Sequence, residues 1–114
     1  MSSKIMALLL AVAGLGFCYT GRAAQQLVWQ GKIIYVENGW NGEGLVIRDS
    51  SIGPEGCWAP RDEFAIDKDH PAYKELVAMA LAAYTSNADV EVILDSGVCL
   101  FGGRTKVLSI RLKK

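Results

Sequence analysis

The residues able to do chemistry are few. The chain holds one histidine, His70, and three cysteines, Cys18, Cys57 and Cys99. His70 directly precedes Pro71, so it forms neither a Cys–His pair nor part of a Ser/His/Asp set. Asp62, Glu63, Asp67 and Asp69 surround one loop, but their spacing lacks the EF-hand pattern and suits solvated acids. Gly102-Gly103-Arg104 lacks the rest of a phosphate loop. These observations predict no enzyme, no metal site and no cofactor. Binding chemistry is better represented. In Asn38-Gly39-Trp40-Asn41-Gly42-Glu43-Gly44 an indole lies between amides and a carboxylate. Such a ring covers the apolar face of a sugar, while the polar groups bond its hydroxyls. Trp40, Asn41 and Glu43 are therefore candidate ligand residues. The competing reading is that Trp40 folds back as a cap while Asn and Gly only make the turn.

The elements that must hold this loop follow from pattern. Leu27–Glu37 is rich in β-branched and aromatic residues and reads as a strand, with a bulge or bend expected at Gly31. Gly44–Asp49 returns after two Asn-Gly turns. A third strand is expected from Cys57–Ala59, continued by Phe64 and Ile66. Asp69, His70 and Pro71 suit a helix start. Tyr73, Leu76, Val77, Ala80 and Tyr84 then trace one helical face toward the core, and Asn87 is a left-handed stop. Val90, Val92 and Leu94 alternate along a fourth strand, with a turn at Ser96-Gly97 and a bend at Gly102-Gly103. Leu108, Ile110 and Leu112 alternate along a fifth. Trp29 and Trp58 are expected in the core. The order β-β-β-α-β-β predicts a mainly β fold with one helix, an OB-like five-stranded barrel. A sheet with one helix packed across it is the alternative.

The helix face opposite the core stripe carries Glu75, Ala78, Met79 and Ala82, small or apolar enough for a second copy to approach. A plain solvated helix remains the competing reading, since alanine is favoured in helices without burial. Composition supports one packed domain: 51% of the 114 residues are hydrophobic and 21% charged. Twelve basic residues balance twelve acidic ones, which disfavours a nucleic-acid partner. The charges are uneven along the chain, with acids gathered between Glu43 and Asp69. Arg104, Lys106, Arg111, Lys113 and Lys114 make a basic tail that reads as a solvated final strand.

Lys4 precedes an apolar run from Ile5 to Cys18, 14 residues long and short of the roughly 20 that span a bilayer. Residues 1–23 read as a signal peptide cleaved after Ala23, leaving a single domain over 24–114 with no stable membrane anchor. A retained anchor and a lipidated Cys18 are the competing readings, the latter opposed by the bulky Phe17. Cleavage leaves 10 basic and 12 acidic residues and an even pair of cysteines. In a secreted or periplasmic domain Cys57 and Cys99 are expected to form one disulfide, against two buried free thiols. Closing 42 positions would contribute about 4 kcal/mol by loop entropy.

Cys57-Trp58-Ala59-Pro60, the helix ending Ala82-Ala83-Tyr84-Thr85-Ser86 and the strand beginning Val90-Glu91-Val92 carry a resemblance. Over residues 57–112 the chain resembles the B subunits of subtilase-cytotoxin-like and pertussis-like AB5 toxins. It also resembles short exported bacterial proteins that share the pattern. The toxin resemblance implies OB folds in a ring of five around central helices, and binding to host or surface glycans. The toxin subunits commonly carry more than one disulfide, whereas one pair is available here. Two functions are carried forward: an exported, non-catalytic, oligomeric glycan-binding module, and a monomeric periplasmic OB-fold protein of structural or stress-related role.

Overall fold

The computed structural model describes residues 26–113; the signal-peptide expectation over 1–23 lies outside them. Five strands and one helix follow the expected order: β1 Gln26–Asn38, β2 Gly44–Asp49, β3 Glu63–Asp67, α1 Tyr73–Ser86, β4 Asp89–Leu100 and β5 Arg104–Leu112. A short 3-10 turn, Phe101–Gly103, joins β4 to β5. The sheet closes on itself in the order β1-β2-β3-β5-β4. Closure works because β1 changes partner midway. Gln26–Lys32 pairs with β4, and Ile33–Asn38 pairs with β2. The return contact is short and parallel, Phe64 opposite Thr105 and Ala65 opposite Lys106.

The alternation of β2 and β3 sends Leu45, Ile47, Phe64 and Ile66 into the core, where they meet Ile33, Val90, Val92, Leu94, Val107 and Ile110. Leu76, Ala80 and Ala83 seal this core from the helix. Each large side chain buried this way is worth about 1.5–3 kcal/mol. The helix carries no side-chain cap at Ala72. Instead the Ala72 N–H donates to His70 Nδ1 at 2.9 Å. That bond leaves the proton on Nε2, which donates to the Leu108 carbonyl at 3.0 Å. His70 is thus a structural tie between the helix entrance and β5. The left-handed stop is at Asn87 as expected, with φ 55°.

Several expectations are corrected. The irregularity in β1 falls between Ile33 and Tyr35, at Ile34, not at Gly31. Gly31 is needed for another reason: a Cβ there would collide with the Asp49 carboxylate. Cys57–Ala59 is loop, because β3 starts only after Pro60 and the turn following it. Ser96-Gly97 is an irregularity inside one long β4 and not its end. In β5 the phase shifts because Leu94 faces Val107 while Ile93 faces Ser109. Leu108 is the extra residue, so Val107 and Ile110 are both buried, while Leu112, the last residue of β5, is exposed. On the helix, Tyr84 is exposed and Ala83 takes the core position. Tyr84 stands in the last turn of the helix, which ends at Ser86, beyond the turns where Tyr73 and Val77 pack against the core on the same side. Met79, expected on the outer side, is half-buried and packs against the core. Trp29 is also half-buried there, and its indole N–H donates to the Ile52 carbonyl. Trp58 is not in the core; it is 82% exposed.

The Cys57–Cys99 disulfide is present, with Cα atoms 5.6 Å apart. It joins the loop before β3 to the end of β4.

Candidate functional site

Val46 and Ala65 face each other across β2 and β3. Both are buried, yet neither belongs to the core cluster. They mark the outer face of the β2–β3 pair as covered. Part of the cover is the β1–β2 loop, and part is the turn between β4 and β5. Between them lies a shallow cavity of about 270 Å³, lined by Trp40, Asn41, Glu43, Val46, Phe101 and Arg104, with Glu37 at its rim.

The loop is built to hold its shape. The Gly39 N–H donates to the Gly44 carbonyl at 2.8 Å, and the Gly42 N–H to the Gly39 carbonyl at 3.1 Å. Glu43 Oε1 accepts the Asn41 N–H at 2.8 Å, while its own carbonyl accepts the Lys68 N–H at 3.0 Å. Bonds from its own backbone N–H and that of Asn41 hold the Glu43 carboxyl below the usual carboxylate range. Glu43 therefore fixes the loop as an anion. Trp40 does not fold back as a cap. It is 91% exposed, and its N–H donates to Glu37 Oε2 at 3.2 Å. The indole is tethered at its polar edge and its faces are open.

The opposite wall comes from the β4–β5 turn. Arg104 Nε donates to Glu63 Oε1 at 2.9 Å, and its Nη1 to the Phe101 carbonyl at 3.3 Å. Glu63 also takes a bond from Arg48, whose guanidinium lies 4.8 Å from the Tyr35 ring centroid. Burial alone would raise the Glu63 carboxyl, but the bonds from Arg104 and Arg48 outweigh it and hold it low. Burial and the nearby Glu63 carboxylate push the Tyr35 hydroxyl up. The result is an anchored guanidinium at the cavity wall, 21% of whose side chain meets solvent.

The structure thus brings Trp40, Asn41 and Glu43 together at one cavity and adds Arg104, Phe101 and Glu37. Sequence reading missed these three. Arg104 was absorbed into the basic tail, although an aromatic and two glycines directly precede it. Glu75, Ala78 and Ala82 are exposed on the helix as expected. Leu81 and Tyr84 are exposed as well, at 42% and 44%. Another cavity of about 440 Å³ is lined by Gln30, Gly31, Asp89, Val90, Glu91 and Lys113. Its polar groups answer one another. Glu91 takes bonds from Gln30, Arg111 and Lys113, and Asp89 pairs with Lys32 at 2.9 Å. Among the described residues there is no cluster of metal-ligating side chains and no helix long and apolar enough to cross a membrane. No family model matches the chain, and no curated protein or solved structure shows significant similarity to it.

Proposed function

We propose that this chain is an OB-fold binding module that takes a glycan between the β1–β2 loop and the β4–β5 turn. The strand order β1-β2-β3-β5-β4, with the helix between β3 and β4, supports the OB assignment. OB folds bind oligosaccharides and oligonucleotides on the β2–β3 face, between these same two loops. One observation carries the reading: the open Trp40 indole stands over a cavity floored by Val46 and walled by Arg104. Trp40 stacks on a sugar ring. Asn41 and Arg104 donate to hydroxyls, and Glu37 and Glu43 accept from them. The Cys57–Cys99 disulfide supports an exported, oxidising location. The exposed Leu81 and Tyr84 beside Ala78 and Ala82 support self-association through the helix, as the toxin-subunit resemblance implies.

The test is a glycan array with the wild type and Trp40→Ala, with circular dichroism as the check on fold. We expect retention by the wild type and its loss in the folded variant. Equal retention by both, or none by the wild type, removes this reading in favour of a module without a sugar ligand. Light scattering under non-reducing conditions tests the assembly; a clean monomer contradicts it.

A further inference from the structure

Trp58 is the second large side chain left in water, 82% exposed, and its surroundings are not those of a stray surface residue. Both of its neighbours are pinned. Cys57 is bonded to Cys99, and the Ala59 N–H donates to the Gly103 carbonyl at 3.0 Å. Ala59 itself is buried. The indole lies against Gly103, where a Cβ would run into its pyrrole edge. Gly102 and Gly103 both have positive φ, 68° and 71°, so any side chain there would strain the turn. Gly102 lines the same cavity as Trp40, and Trp58 does not line it. Along the surface the order is therefore Trp40, Gly102, Gly103, Trp58. The Arg104 guanidinium lies against Gly102, between the two rings.

We propose that Trp58 is a second stacking platform, so that the ligand is an oligosaccharide running over the β4–β5 turn and not a single sugar unit. This rests on the glycan reading above. A ligand seated in the Trp40 cavity reaches Trp58 only by extending past the turn. A sugar chain suits this path better than a protein surface. The cavity at its start is lined by Glu37, Asn38, Asn41, Glu43 and Arg104 beside Val46, and the Arg104 guanidinium continues over Gly102. A ring held this rigidly loses little freedom on binding, so its stacking is converted efficiently into affinity. The disulfide then does more than close a loop: it presents Trp58.

The experiment is an array of mono- to hexasaccharides probed with the wild type, Trp40→Ala and Trp58→Ala. Circular dichroism and intact mass confirm the fold and the disulfide. We expect wild-type retention to rise with chain length. Trp58→Ala should weaken binding of the longer chains about tenfold and leave the shortest retained ones unchanged. Trp40→Ala should weaken both. Unchanged binding of the longest chains by Trp58→Ala, or length-independent wild-type retention, overturns the proposal while leaving the Trp40 site intact. No retention by the wild type at any length removes the glycan reading and this proposal with it. Conversion of an oligomer to a monomer by Trp58→Ala, with glycan retention unaltered, assigns the indole to an interface between copies and also overturns it.

Discussion

On the helix side of the barrel, the sequence spends small residues on close contact. Leu76, Ala80 and Ala83 are sealed against the sheet, and the entrance is fixed by one imidazole bonded at both nitrogens. Around the β1–β2 loop and the β4–β5 turn, the largest apolar side chains stand in water, Trp40 at 91% and Trp58 at 82% exposure. Their supports there are polar or covalent: a carboxylate behind Trp40, a disulfide and a glycine turn behind Trp58. Burial makes the first region stable. Preorganisation without burial marks the second as a place for a ligand.

The comparison is most severely broken by removing the disulfide. Cys57→Ser together with Cys99→Ser should cost about 4 kcal/mol in denaturant unfolding and weaken retention of the longer glycans by the folded fraction as Trp58 loses its base. A smaller loss is expected on the other side. Leu76→Ala should cost about 3 kcal/mol, with glycan retention by the folded fraction unchanged. If it impaired retention as strongly as Trp40→Ala, the two regions would not be separable.

A finer test concerns a carboxylate in neither region. Asp49 is 1% exposed, its Oδ1 takes bonds from Ser51, and its Oδ2 has no partner. Burial pushes its carboxyl up against the opposing bonds from Ser51. A raised folded value means that its contribution is full at acid pH and is lost as pH rises through that value. Asp49→Asn should therefore raise the melting temperature at pH 7 by a few degrees, on the order of 1 kcal/mol. The gain should shrink as pH falls below the ordinary carboxylate range. A constant difference across pH would show that the charge is not its origin.

Much of the scaffold is legible in the residues. β2 and Asn87 follow from the Asn-Gly turns that precede the strand and from a left-handed stop, both local properties. What local pattern misreads is set by tertiary pairing. Leu108 looks like an inward residue until the register shift across from Leu94 moves the phase. Trp58 looks like core because indoles are apolar, and only the disulfide and Gly103 explain its exposure. The site is half legible. The turn composition exposes Trp40, Asn41 and Glu43. Arg104 and Phe101 come from the far end of the chain, and closure of the sheet brings them to the same cavity.

The three indole N–H resonances provide the most direct measurement. Trp29 is bonded to the Ile52 carbonyl, Trp40 is tethered to Glu37, and Trp58 lies on Gly103. In a nuclear magnetic resonance titration with an array-retained oligosaccharide, Trp40 and Trp58 should shift together while Trp29 stays fixed. Shifts confined to the helix residues Glu75–Ala82, with Trp40 and Trp58 silent, would contradict the account.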